Sequence, residues 1–182
     1  MVLLHPSPSQ AVDCKLIWSD EFNGSVIDYS NWTHQVFPGV DSGNNELQYY
    51  TARPENSRVE NGFLIIEAHE ENYANHNYTS ARLHSTGKRD FLYGRIEARI
   101  KIPKGQGYWP AFWMLPTDWE YGGWPRSGEI DIMESVNQAD FVSGAVHFGG
   151  NWPEHVYHSL AYVGPDPQNP LDFSLDFHLY SI

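Results

Sequence analysis

The chain is short of cysteine, of positive charge and of long apolar runs, and each shortage closes off a class of explanation. Cys14 is the only cysteine in 182 residues, so no internal disulfide forms and the redox compartment cannot be read from it. Lys and Arg number 11 against 23 Asp and Glu, a net charge of −12. That balance argues against nucleic acid or an anionic membrane surface as partner. No apolar stretch reaches the roughly 18 residues of a membrane-spanning helix. Met1-Val2-Leu3-Leu4 is too short for the apolar region of a signal peptide, and residues 1–14 read as a flexible lead-in to a domain over 15–182. Helical periodicity is missing beyond about two turns; residues 24–28 are expected to hold at most a turn or short helical piece. No phosphate-cradling glycine loop is present, and Gly105–Gly107 reads as a turn. His69-Glu70-Glu71-Asn72-Tyr73 lacks the second histidine of the zinc-protease pattern. His155 and His158 fall on opposite faces of a strand, which argues against joint metal ligation. The remaining histidines are scattered and read as surface or cleft residues.

Aromatics are abundant instead, at 15% of residues. Short apolar runs recur between Gly, Pro, Asn and Asp, over residues 58–70, 79–85, 91–102, 109–115, 129–136, 142–148, 155–162 and 171–182. Period-2 alternation is clear from Gly94 to Ile102, where Ile96, Ala98, Ile100 and Ile102 share a face. Many short strands, no repeats and no internal linker predict one all-β domain, a sandwich or barrel, long enough to bury a core. Trp18 and Trp32 are assigned to that core.

Against this background Ser127-Gly128-Glu129-Ile130-Asp131-Ile132-Met133-Glu134 stands out, with three carboxylates in six residues of a strand-like run. Side by side and unpaired, buried carboxylates are costly. Strict alternation puts Glu129, Asp131 and Met133 on one face and Glu134 on the other. A one-residue bulge near Met133 resets the alternation and returns Glu134 to the face of Glu129 and Asp131. Two carboxyl groups facing one bond is the arrangement that cuts glycosidic linkages. The plainer alternative is an acidic, solvated strand face.

The flanking sequence favours the first. Four of the seven tryptophans fall between residues 109 and 124. In Trp109-Pro110-Ala111-Phe112-Trp113-Met114-Leu115-Pro116, residues 109 and 113 share a face that 112 opposes. Phe112 and Met114 are assigned to the core. Trp109, Trp113 and Trp124 are assigned to a cleft beside the carboxylates, where flat rings suit the apolar faces of sugars.

Three segments together carry a resemblance: Tyr93-Gly94-Arg95-Ile96-Glu97-Ala98-Arg99, the Trp109–Pro116 run, and Gly128-Glu129-Ile130-Asp131-Ile132-Met133-Glu134. They closely resemble glycoside hydrolase family 16, in its laminarinase-like endo-β-1,3-glucanase branch, from near Ile17 to the last residue. The resemblance implies a jelly-roll β-sandwich of the concanavalin A-like lectin/glucanase type, a retaining mechanism, and β-glucan polysaccharide or oligosaccharide as partner. It implies Glu129 as nucleophile, Asp131 as assisting carboxylate and Glu134 as general acid/base. Asn44, Arg82 and His147 match polar residues of the cleft. No cofactor is expected for catalysis. A structural calcium is implied at Glu21, the Gly62 carbonyl and a late acidic residue. The same resemblance implies a monomer in an extracellular setting. Three glycosylation tripeptides, at Asn23, Asn31 and Asn77, support secretion only weakly.

The chain stops at Phe177-His178-Leu179-Tyr180-Ser181-Ile182 within a strand pattern. The family continues with further strands, so a C-terminally incomplete domain is expected. Two further readings stand beside the glucanase: a glucan-binding protein on the same fold without catalysis, and a hydrolase of another β-glucan or a galactan. The three carboxylates favour catalysis.

Overall fold

A computed structural model describes residues 15–182. Cys14 and the lead-in at 1–14 lie outside the described residues. Those residues form fourteen short β-strands and one 3₁₀ turn at Gly39–Ser42, with no α-helix among them. The chain divides into two compact units, Met1–Asp90 and Phe91–Ile182.

The first unit holds β1 (Thr33–His34), β2 (Phe37–Pro38), β3 (Gln48–Tyr50), β4 (Ser57–Glu60), β5 (Phe63–Ile66), β6 (His69–Tyr73), β7 (His76–Ser80) and β8 (Leu83–His84). Strands β2-β3-β7-β6 form one sheet, with β3 and β7 parallel, while β4–β5 and β1–β8 pair separately. The expected continuous strand over 58–70 is in fact three strands. Asn61 and Gly62 both take positive φ, 53° and 79°, and turn β4 back on β5 so that Glu60 opposes Phe63. An Asn-Gly pair between apolar runs is the strongest short hairpin signal, and here it overrides the apolar run. The expected run over 79–85 likewise breaks into the end of β7 and β8. Residues 24–28 hold bends, and the chain closes a turn just after them, where Asn31 N and Trp32 N donate to Asp28 O. Asn31 is buried and donates to Asp20 and Asp28, so its side-chain amide is engaged within the fold. Trp18 and Trp32 are half-buried and meet edge to face at 6.0 Å. Much of the interior of this unit is polar: Thr51 donates to Asn56, and Asn56 to Thr79, all three being fully buried. Buried polar groups paired this way escape the desolvation penalty.

The second unit holds β9 (Glu97–Ile100), β10 (Ala111–Met114), β11 (Glu129–Glu134), β12 (Val142–Phe148), β13 (Val156–Tyr162) and β14 (His178–Ser181). β10-β11-β12-β13 form an antiparallel meander, and β14 pairs with β9. The alternation read from Gly94 to Ile102 is present: residues 96, 98, 100 and 102 turn inward and the odd-numbered ones outward. Ile102, Met133, Ala139, Val142, Phe173 and Tyr180 form the buried cluster, with Ile100, Phe112 and Ile132 packed against it. Phe112 is thus a core residue, as its place in the strand predicts. Only His178–Ser181 of the run expected over 171–182 is strand.

Candidate active site

Strand β11 carries the acidic triplet, and its register shows where alternation breaks. Across β10, Ala111 opposes Glu134 and Phe112 opposes Met133, but Trp113 then opposes Asp131. Across β12, Asp131 opposes Ala145 and Glu134 opposes Ser143. Three steps along β11 match two along β12, so one extra residue is inserted at Ile132–Met133. This is the bulge expected near Met133. Ile132 and Met133 both turn to the core cluster, and Glu134 returns to the face of Glu129 and Asp131. Glu134 is flanked on that face by the small residues Ala111 and Ser143, while Asp131 lies between Trp113 and Ala145.

Each carboxyl has a distinct setting. Asp131 is buried at 5% exposure. Burial first, then the charges of Glu129 and Glu134, push its pKa up to about 8, and it is also hydrogen-bonded to Glu129. Glu134 accepts from Trp109 Nε1 at 2.9 Å. Burial raises its pKa and Glu129 adds to the rise, while the Trp109 hydrogen bond and His147 pull it down. Glu129 accepts a short hydrogen bond from Trp124 Nε1. The two glutamates are therefore each gripped by an indole N–H, and Asp131 sits between them as a group that holds its proton in neutral water. Carboxyl groups whose surroundings push them apart in acidity are suited to acid and base roles at one bond.

Trp109 and Trp124 are 48% and 42% exposed, which places partly open ring faces beside the carboxyls. Trp113 opposes Asp131 in register and alternates with Phe112, so it shares the carboxylate face. His147 opposes Glu129, and its Nε2 lies 3.5 Å from Asp131 Oδ2.

Three residues that sequence reasoning did not single out as site residues join this group. Trp152 packs against Trp124 at 5.6 Å between centroids, His155 stacks on His147 at 5.3 Å, and Tyr157 lies 4.6 Å from His147. The signal was available for Tyr157, which occupies the position opposite His147 in the next strand. Trp152 and His155 sit on the β12–β13 loop, whose turn is closed by Glu154 N donating to Asn151 O at 2.7 Å, and loop residues carry no periodicity to read. His158 points to the other face of β13, toward a groove of about 400 Å³ lined by Ile130, Val146 and Leu160, so His155 and His158 are separated as their spacing predicts.

Asn44 and Arg82 belong to the first unit. Asn44 is exposed in the turn after the 3₁₀ segment. The Arg82 guanidinium lies over the Phe37 ring at 5.7 Å. Between them in sequence, Glu46 accepts hydrogen bonds from Ser42, Gln48 and Tyr50, so both oxygens of a carboxylate that the sequence did not single out are engaged. Glu21 is exposed and Gly62 sits in the β4–β5 hairpin. Among the described residues no three His, Cys, Asp or Glu side chains converge as a metal cage.

Known proteins share the sequence and the fold of this chain. A family model described as "XgeA-like, catalytic GH16 domain" matches residues 40–158. The chain is 53% identical over 173 residues to the β-glucanase of Rhodothermus marinus, covering 92% of this chain and 58% of that protein. It superposes on the laminarinase catalytic domain of Thermotoga maritima with a TM-score of 0.81 at 42% identity, covering 92% of this chain and 68% of that one. It also superposes, with a TM-score of 0.83 at 37% identity, on a mutant of SCLam, covering 94% of this chain and 68% of that one. SCLam is a non-specific endo-β-1,3(4)-glucanase from family GH16, and that mutant was co-crystallised with 1,3-β-D-cellotriosyl-glucose. The chain thus spans a little under three-fifths of the Rhodothermus protein's length. The shared all-β fold is the jelly-roll β-sandwich.

Proposed function

The chain belongs to glycoside hydrolase family 16, in its laminarinase-like branch, and on that premise we propose that it supplies the catalytic strand of a retaining endo-β-1,3-glucanase. The β11 bulge carries this reading, because it brings Glu129, Asp131 and Glu134 to one face. Glu129 attacks the anomeric carbon as a carboxylate and forms a covalent glycosyl-enzyme. Glu134, whose pKa is raised by burial, gives its proton to the departing glycosidic oxygen. It then takes a proton from water, which releases the sugar with its original configuration. Asp131 stands between the two and keeps its proton, so it adds no second negative charge beside Glu129 at neutral pH.

Trp109, Trp113 and Trp124 present rings for glucosyl units. β-1,3-Glucan is the substrate class, a neutral polymer for which a net charge of −12 is no obstacle. The reading includes an extracellular, monomeric protein. It also includes a structural calcium near Glu21 and Gly62, through which no chemical step passes; a rise in melting temperature on adding calcium tests it.

The test is proton NMR of the first products from laminarin. β-Configured reducing ends support double displacement, and α-configured ends exclude it. Glu129→Ala should lose at least 10³-fold in rate, with azide restoring turnover as an α-glycosyl azide. Binding of laminarin with no turnover by the unmutated chain would favour the non-catalytic alternative.

A further inference from the structure

His155 lies one residue ahead of β13, at the end of the loop that also carries Trp152. Its Nε2 is 3.1 Å from His147 Nδ1, and the two rings are nearly parallel, 16° apart. His147 in turn presents Nε2 to Asp131 Oδ2, and Asp131 is hydrogen-bonded to Glu129. Four groups thus run in a line from the loop to the proposed nucleophile.

Two neutral imidazoles at this distance share one proton, and either can donate it. If His147 Nδ1–H donates, the proton of His155 must sit on its own Nδ1. That nitrogen is buried and meets no partner among the described residues. A buried N–H without an acceptor gives up its bond to water and gains nothing in exchange. If His155 Nε2–H donates instead, its Nδ1 keeps a bare lone pair, and an orphaned acceptor is tolerated better than an orphaned donor. His147 then carries its own proton on Nε2, where Asp131 faces it.

We infer that His155 is a positioning residue, which donates to His147 and fixes it as the Nε2–H tautomer aimed at Asp131. The donors then all point one way, from His155 to His147 to Asp131 and on to Glu129. The opposite tautomer would set a bare nitrogen against Asp131 and draw its proton away from Glu129. The effect on rate rests on the proposed hydrolysis, whereas the tautomer does not.

The test uses the chain with ¹⁵N-labelled histidine rings and long-range ¹H–¹⁵N correlation at a pH where both imidazoles are neutral. Signals of His147 are assigned by their loss in His147→Asn. The groups facing His147 are Glu129, Asp131 and Glu134 from β11, His155 from the loop and Tyr157 from β13, so spectra are taken across the titration of the carboxyls. His147 should be the Nε2–H tautomer in the unmutated chain. His155→Phe keeps a stacked ring without the donor and should raise the Nδ1–H fraction several-fold. It should also lower kcat on laminarin about tenfold, less than the 10²–10⁴ of a general acid or base itself, with KM unchanged. His155→Gln restores a donor and should recover most of both effects. An Nδ1–H tautomer in the unmutated chain overturns the inference whether or not any variant folds. An unmoved tautomer, or an unmoved kcat, in folded His155→Phe overturns it as well. A tautomer that moves as expected in a chain with no hydrolytic activity would sink the proposed function and leave the tautomer assignment standing.

Discussion

Glu129 of β11 and His147 of β12 lie directly opposite one another in the sheet. Cross-strand partners on one face have β-carbons about 4.5–5.5 Å apart, so the proposed nucleophile and the imidazole facing Asp131 are held by a backbone ladder. Their separation is a property of strand pairing, and side-chain packing only refines it.

Deleting Ile132 should keep hydrolysis within about tenfold and destabilise the second unit. Removing the extra residue restores plain alternation, in which Glu129, Asp131 and Glu134 share one face and Met133 alone turns to the core. Glu134 then stands two steps from Asp131, as Ser143 does from Ala145. The cost falls on the core, which loses the Ile132 side chain packed against it, so a loss of about 1–3 kcal/mol by urea denaturation is expected. A folded deletion variant without activity would mean that the bulge itself, beyond the shared face, sets the carboxyl spacing.

Trp109→Phe should shift the pH profile upward. The indole N–H is one of the two influences that hold the Glu134 pKa down against burial, so its loss leaves Glu134 protonated to higher pH. A general acid must be protonated to act, so the high-pH limb of kcat/KM moves to higher pH. The accompanying drop in kcat should be about tenfold or less. An unmoved limb would separate Trp109 from the acid.

Asp131→Asn should flatten the pH dependence of stability. The folded pKa is raised, from an ordinary 3.8 to about 8. Below pH ~4 both states are protonated and Asp131 carries no penalty. As pH rises through the window up to about 8, the unfolded chain gives up a proton that the folded chain keeps, so stability falls. Asn removes that slope and should leave the variant the more stable partner above pH ~8, by at most about 6 kcal/mol, while the rate drops. Parallel stability curves for the two proteins would show that Asp131 titrates normally.

Trp124 should prove to have two separable roles. Trp124→Phe keeps a ring but removes the donor to Glu129, so kcat should fall with little change in KM. Trp124→Ala also removes the ring, and KM for laminarin should rise by about tenfold, as expected for losing one stacked sugar. Equal KM in the two variants would remove Trp124 from substrate binding.

The sequence was most informative where the pattern is local. The triplet, its bulge, the faces of Phe112 and Trp113 and the alternation of Ile96 to Ile102 all follow from a period of two and one break in it. The hairpin at Asn61-Gly62 was legible too, but its apolar flanks were read as one strand. What stayed hidden depends on partners distant in sequence. Glu46 is notable only once Ser42, Gln48 and Tyr50 close around it. His155 matters only because a loop brings it to His147. Residues in loops have no repeating geometry, so their neighbours cannot be inferred from spacing.

All three carboxyls come from six consecutive residues, while the rings beside them come from separate loops and a neighbouring strand. Covalent backbone therefore works as a ruler for the chemistry, and looser segments decide what is presented to it. Substitutions or insertions in the 115–128 and 149–155 loops can change which glycan is accepted without altering the spacing of the reacting groups. A further insertion between Glu129 and Glu134 cannot. Selectivity is thus free to drift in such a protein while the reaction stays fixed, and the boundary between the two lies at Gly128, where loop becomes strand.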